Sequence, residues 1–170
     1  LLYLHNLIKI YDSFANAYKV FHFERRIIIM GKISVVYWSQ SGNTLAMAEA
    51  IGKGITDGGA QAEVVNVSSC QVSDLDTEEV FALGCPAMGA EVLEESEMEP
   101  FVAELEGNVK GKKIALFGSY GWGDGQWMRD WEERMNAAGA VVVNGEGVIA
   151  HEAPDDDALE ACRSLGKALV

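Results

Sequence analysis

From residue 30 onward, the chain alternates short apolar runs with longer segments whose apolar residues recur at helical spacing. The short runs are rich in β-branched residues and end at Gly or polar residues, which predicts five strands, at 33–38, 62–67, 80–84, 112–118 and 141–144. The longer segments predict helices at 43–58, 97–105, 127–138 and 155–169, with one helical turn at 73–76. This alternation predicts an α/β fold in which helices cover both faces of one parallel sheet.

The loop after the first predicted strand has the composition of a phosphate-binding turn. Open parallel sheets bind ligands outside the carboxyl ends of their strands, so this loop and those after strands three and four carry the most information. Hydroxyl and amide side chains flank one glycine and lead directly into a helix: Ser39, Gln40, Ser41, Gly42, Asn43 and Thr44. Helix N–H groups and the lack of Lys or Arg suit one phosphate monoester rather than a triphosphate. The alternative is an ordinary Ser or Asn N-cap.

The loops after strands three and four suit a flat aromatic ligand. One contains a Met that can lie along a planar ring and a Glu that can accept from a ring N–H: Pro86, Ala87, Met88, Gly89, Ala90 and Glu91. The other contains a Trp between glycines that can stack on the ring: Ser119, Tyr120, Gly121, Trp122, Gly123 and Asp124. Each loop taken alone also fits a plain turn with a half-buried apolar side chain. Because the fold brings all three to one edge, together they predict a site for a mononucleotide with a large planar ring.

Composition narrows the possible partners. The 170 residues carry 13 basic and 26 acidic side chains, for a net charge of −13. This balance disfavours nucleic acid and anionic membranes and favours basic protein partners, although acidity can also serve solubility alone.

The three cysteines, Cys70, Cys85 and Cys162, are odd in number and widely spaced, which argues against disulfides or a zinc site and fits a reducing cytoplasm.

Residues 1–29 differ from the rest of the chain. They hold four of the basic residues and two of the acidic ones, which leaves a net charge of −15 over residues 30–170. The segment lacks the layout of a signal peptide, and polar residues interrupt any apolar run long enough to span a membrane. Apolar residues at helical spacing from Leu4 to Tyr18 leave open an amphipathic helix that docks on a membrane or partner. We expect instead that 1–29 is a leader outside the fold, and that the working domain, 30–170, starts at Met30.

The three loops resemble the FMN loops of clostridial-type short-chain flavodoxins. The matching segments read YWSQSGNT, GCPAMGAE and LFGSYGWGDG, and the similarity covers residues 30–170. The resemblance implies a flavodoxin-like three-layer sandwich with a five-stranded parallel sheet in the order 2-1-3-4-5. It implies a low-potential carrier of single electrons that binds FMN non-covalently and has no substrate chemistry of its own. It further implies redox protein partners with basic patches, and a monomer in the cytoplasm.

The resemblance also assigns roles at matching positions. Residues 39–44 would hold the FMN phosphate, Met88 would cover one face of the isoalloxazine ring, and Trp122 would cover the other. The Gly89 carbonyl would turn toward flavin N5 on one-electron reduction, and Glu91 would accept a hydrogen bond from flavin N3. These roles require no acid–base pair, because the protein tunes the electronics of its cofactor.

Two positions depart from the family pattern, and three other classes of protein have to be weighed. Ser41 stands where Thr is commoner, and Ala90 stands where a polar residue is often found, which would shift the first-electron potential.

An FMN-dependent quinone or nitro reductase would need an open flavin face, which two covering side chains argue against. A signalling receiver domain would need an acidic pair after strand one, where this chain has Tyr, Trp and Ser at 37–39. A cofactor-free binding module would not need three complete loops.

Overall fold

The computed structural model describes residues 31–170, which form six strands and four α-helices. The strands are β1 (Lys32–Tyr37), β2 (Gln61–Asn66), β3 (Val80–Gly84), β4 (Lys113–Tyr120), β5 (Val141–Val142) and β6 (Val148–His151). The helices are α1 (Asn43–Asp57), α2 (Met98–Leu105), α3 (Gln126–Ala137) and α4 (Asp156–Ala168). The predicted helical turn at 73–76 is a 3-10 turn at Val72–Leu75. The leader and its apolar stripe from Leu4 to Tyr18 lie outside the described residues.

The strands form one parallel sheet in the order β2-β1-β3-β4-β5, which confirms the predicted topology. The fifth position holds two segments, since β5 pairs with the first part of β4 and β6 pairs with its last part. The prediction of one strand through 141–144 was therefore wrong at its end. The chain leaves the sheet in a 3-10 turn because Asn144 and Gly145 have φ angles of 61° and 80°, in the left-handed region that strands exclude.

Apolar side chains cover the central strands on both faces, as a sheet between two helical layers requires. On one face, Phe81 and Leu83 of β3 belong to the same buried cluster as Phe101 of α2 and Trp127 and Trp131 of α3. On the other face, α1 packs against α4. Of the helices in the described region, none is long and apolar enough to cross a membrane.

The contact between α1 and α4 depends on two glycines that let the helix backbones approach closely. A Cβ atom at Gly54 would collide with the carbonyl oxygen of Arg163, and one at Gly166 would collide with the carbonyl oxygen of Ile51. Because the obstacle is backbone in both cases, a rotamer change cannot relieve it. The spacing of the layer over β1 is therefore set by these two residues.

We expect Gly54→Ala to destabilise the fold by about 1–3 kcal/mol, the usual cost of forcing an extra methyl group into a packed contact. The measurement is urea unfolding of the purified protein without any bound ligand, followed by circular dichroism. Gly107→Ala is the matched control, because no atom lies within 4 Å of a Cβ placed there. Equal midpoints for the two variants would contradict the close contact between α1 and α4.

Candidate functional site

The carboxyl edge of the sheet positions the candidate site through backbone pairing that runs on into the loops. The Ala87 N–H donates to the Ser119 carbonyl at 2.9 Å, and the Glu152 N–H donates to the Tyr120 carbonyl at 2.7 Å. These bonds continue the parallel ladder beyond the ends of β3 and β6. The loops after strands three, four and six therefore leave the sheet side by side.

The first loop leaves the start of α1 without a side-chain cap. Gly42 occupies the N-cap position with a φ of +90°, and no side chain among residues 31–170 accepts from the first turn of the helix. The Ser39 hydroxyl accepts instead from the Gly42 N–H at 3.1 Å. The ordinary Ser or Asn N-cap is thus not what the structure shows. The N–H groups at the start of α1 are available to an anion, which a helix N-terminus favours.

Thr44 ties this first loop to the third. Its side chain is buried, and its hydroxyl shares a hydrogen bond of 3.3 Å with the hydroxyl of Ser119, which is also buried. The two residues are 75 positions apart in the chain and close the floor of the loop region. Protein contacts therefore hold the hydroxyls of Ser39 and Thr44 in the predicted phosphate-binding loop, residues 39–44.

The second loop is a short hairpin closed by two backbone hydrogen bonds. Met88 and Val92 each donate to the carbonyl of the other at 2.9 Å. The tip contains Gly89 with a φ of +48° and Glu91 with a φ of +56°. A positive φ is common for Gly and uncommon for Glu, so a specific contact has to hold Glu91 in this conformation.

The Glu91 carboxylate supplies that contact by capping α3. Its Oε1 atom accepts from the Gly125 N–H and from the Gln126 N–H, both at 2.9 Å. Its Oε2 atom has no hydrogen-bond partner among the described residues, which leaves an acceptor for a ring N–H. The sequence indicated the acceptor but not the cap, because the cap joins residues 34 and 35 positions apart.

The two aromatic residues of the third loop have different environments. Tyr120 packs on the core, with its ring centroid 5.5 Å from that of Trp127 and 5.2 Å from that of His151. Trp122 is 54% exposed, and its indole N–H donates to the Gly89 carbonyl at 3.1 Å. The exposed ring of Trp122 is the one available to stack on a planar ligand.

A cleft of about 220 Å³ brings much of the predicted site together. Residues from all three loops line it: Gln40, Ser41, Asn43, Pro86, Ala87, Met88, Ser119, Tyr120, Gly121 and Trp122. The remaining predicted residues belong to the same loops but do not line the cleft: Ser39, Gly42, Thr44, Gly89, Ala90, Glu91, Gly123 and Asp124. Glu152 also lines the cleft and was missed. It follows β6, a strand that the sequence did not predict, so its place at the sheet edge could not be inferred.

Charged groups near the cleft are held in structural contacts. Asp124 forms an ion pair with Arg129 at 2.6 Å, so it does not act as an isolated charge. Glu94 is buried and accepts from the backbone N–H groups of Ser96 and Glu97 at 2.9 and 2.8 Å. Burial alone would raise the pKa of Glu94, but these backbone donors outweigh it and hold the pKa below its ordinary value. Glu94 is therefore ionised at neutral pH and caps the start of α2.

The buried thiols of Cys85 and Cys162 are protonated at neutral pH. Burial raises the pKa of Cys85 to about 12 and that of Cys162 to about 12. The thiolate is the reactive form of cysteine, and it is scarce at such values. Within the part of the chain that the structure describes, no group of three or more His, Cys, Asp or Glu residues could hold a metal ion.

A doubly wound parallel sheet, a neutral cradle at a free helix N-terminus and a cleft between Met and Trp define a class of protein, the mononucleotide-binding α/β proteins. The flavodoxin family model matches residues 35–166. The chain is 51% identical over 138 residues to a flavodoxin of Clostridium beijerinckii, which covers 81% of this chain and 99% of that protein. It is 45% identical over 136 residues to a flavodoxin of Megasphaera elsdenii, covering 80% and 96% of the two chains.

The fold agrees with these sequence relationships. The solution structure of two-electron reduced Megasphaera elsdenii flavodoxin superposes with a TM-score of 0.72 at 46% identity, over 81% of this chain and 97% of that one. The chain belongs to the flavodoxin family, as a short-chain member of the clostridial type. It is an FMN-binding electron carrier and not an enzyme, and the reductase alternative is not favoured.

We expect Glu91→Ala to free the first turn of α3. The loss of the cap should cost about 1 kcal/mol of stability and speed the hydrogen exchange of the Gly125 and Gln126 amides in the cofactor-free protein. Glu91→Gln, which keeps a carbonyl acceptor, should lie between Glu91→Ala and the natural protein. The control is Glu95→Ala, which removes an exposed carboxylate. If Glu91→Ala exchanges no faster than this control, the capping role is wrong.

Proposed function

We propose that the three loops hold FMN, with its phosphate at the start of α1 and its ring between Met88 and Trp122. The observation that carries this proposal is the cleft itself, where neutral hydroxyl and amide groups at one end meet a thioether and an exposed indole at the other. The proposed ligands are residues 39–44, 86–91 and 119–124. This donor set fits FMN, because backbone N–H groups and hydroxyls can surround one phosphate without a cation.

When bound, FMN supplies the capacity to accept and release electrons one at a time, and the chain sets the energy of each transfer. Glu91 would orient the ring by accepting a hydrogen bond from N3 at its Oε2 atom, while its Oε1 atom stays bound to the Gly125 and Gln126 N–H groups at the start of α3. Trp122 and Met88 would exclude water from the two ring faces, which disfavours an added negative charge. Glu152 adds a carboxylate to the lining of the same cleft. We infer a low-potential carrier on these grounds.

The carrier meets redox proteins through their basic patches, as a monomer in the cytoplasm, with residues 30–170 as the working domain. The net charge of −15 over residues 30–170 supports basic partners. All three cysteines are free thiols, which supports a reducing compartment. Transient electron-transfer contacts are small, and this suits a carrier that has to release one partner before it meets the next.

The phosphate site can be tested by placing a charge in the cradle. Ser41 is exposed and lines the cleft, so Ser41→Glu should set a carboxylate against the FMN phosphate. We expect FMN affinity to fall by about 1–4 kcal/mol, the Coulomb energy of two like charges 4 Å apart at intermediate dielectric. Ser41→Gln, of equal size but neutral, is the matched control. Riboflavin, which lacks the phosphate, should bind both variants equally in a fluorescence titration.

Two results would contradict this proposal. One is equal FMN affinity for Ser41→Glu and Ser41→Gln, which would move the phosphate elsewhere. The other is a purified protein that is colourless and takes up no added FMN, which would remove the site altogether.

Partner choice can be tested through salt dependence. Raising the ionic strength from 0.01 to 0.1 M shortens the Debye length from about 30 to about 10 Å, so steering by opposite charges weakens. The rate of electron transfer to a basic haem protein should then fall by about tenfold or more. A neutral quinone serves as the control acceptor, since its rate should change little. Identical salt dependence for the two acceptors would mean that the acidity serves solubility alone.

A further inference from the structure

The exposed indole of Trp122 is tied to the tip of the neighbouring loop. Its N–H donates to the Gly89 carbonyl at 3.1 Å, across 33 positions of the chain. The Gly89 carbonyl belongs to the hairpin closed by Met88 and Val92, and Met88 and Trp122 both line the cleft. A group that only covers a ring face needs no such bond, which suggests that the indole nitrogen has a role of its own.

Further contacts fix the positions of both the Gly89 carbonyl and the Trp122 side chain. The hairpin is closed by its two backbone bonds, and Glu91, two residues after Gly89, is bound to the N-terminus of α3. Trp122 lies in the loop that leads into α3, and a Cβ atom at Gly123 would collide with the Glu91 carboxylate. The two loops therefore meet at a fixed distance, which places the carbonyl of Gly89 within reach of the indole.

The hydrogen bond between Trp122 and Gly89 would affect the reduction of a flavin bound in the cleft. A bound flavin would supply a step in which it takes one electron from a reduced partner protein, which is thereby oxidised, and one proton from water. The ring would then carry a new N–H, and a nearby acceptor on the protein would stabilise this donor. Gly89 is exposed and directly follows Met88, which lines the cleft, and its carbonyl receives the Trp122 N–H.

We propose that the indole N–H of Trp122 competes with the reduced flavin ring for the Gly89 carbonyl and thereby lowers the first one-electron potential. Trp122 is in this respect a positioning residue, in addition to its cover of the ring. The inference rests on the proposed placement of FMN between Met88 and Trp122. Losing the indole donor frees the carbonyl for the ring, so removal of the donor should make the first reduction easier.

The sharpest test replaces Trp122 with 3-benzothienyl-alanine, which keeps the shape of the indole but has sulfur in place of the N–H. We expect the equilibrium constant of the first reduction to rise by about two- to tenfold, the net worth of one neutral hydrogen bond. Affinity for oxidised FMN should change less than this, because the stacking face is kept. Trp122→Phe, which also lacks the donor, should move the potential in the same direction.

Trp38 provides the matched control for the redox measurement. Its indole N–H donates to the Glu97 carboxylate at 2.8 Å, and it does not line the cleft. The same benzothienyl replacement at Trp38 removes an indole hydrogen bond of another kind. It should change the equilibrium constant of the first reduction by less than twofold. An equal rise at both positions would mean that the effect is general loosening, and would overturn the inference.

A second readout needs no flavin at all. In the ¹⁵N spectrum of the cofactor-free protein, the Trp122 indole N–H should exchange with solvent more slowly than a free indole, although its ring is 54% exposed. Unhindered exchange would show that the bond to Gly89 is absent and would overturn the inference whatever the flavin does. A loaded protein whose first potential does not rise in the benzothienyl variant would overturn the inference alone. A protein that takes up no FMN would overturn the proposed function and the inference with it.

Discussion

Backbone pairing between β3 and β4 continues past the end of β3, and the candidate site depends on this continuation. The Cys85 N–H donates to the Phe117 carbonyl at 3.1 Å, and the Ala87 N–H donates to the Ser119 carbonyl at 2.9 Å. The hairpin at 88–92 therefore leaves the sheet from a point that the parallel ladder fixes. These bonds therefore fix the point from which Met88 reaches the cleft that Trp122 also lines.

Acidic side chains around the cleft then join the loops to the helices. Glu91 caps α3, Glu94 caps α2, and Glu97 receives the indole N–H of Trp38. Carboxylates are favoured at helix N-termini, so these contacts stabilise the loops and the helices together. The negative charge near the site is consequently part of the fold. Removing one of these three carboxylates would also loosen the loop or helix that it contacts. Charge and geometry therefore cannot be varied independently at these positions.

The sequence predicted strands β1 to β4 because each contains a short run of β-branched, aromatic or other apolar residues that stops at a polar residue or at glycine. It failed at the fifth position of the sheet, where one strand was predicted at 141–144 but the chain leaves the sheet and pairs again with β4 at Val148–His151. The position of Glu152 at the cleft was not predicted, because it depends on that second segment. The bond between Trp122 and Gly89 could not be predicted either, because it depends on side-chain direction across two loops. Composition and order along the chain identify which loops meet, but not which atoms meet within them.

The proposed phosphate site at the start of α1 gives a physical reason for the low potential that we propose. A helix N-terminus carries about half an elementary charge, whereas a phosphate monoester carries about −1.5 to −2 at neutral pH. Among the described residues that line the cleft, none is Lys or Arg, and Glu152 adds a further negative charge. In the proposed placement, most of the phosphate charge would therefore be left uncompensated. Each electron added to the ring would have to enter this negative field, which opposes reduction. Affinity for FMN would then come from hydrogen bonds and stacking, which leaves the electrostatic field free to oppose reduction.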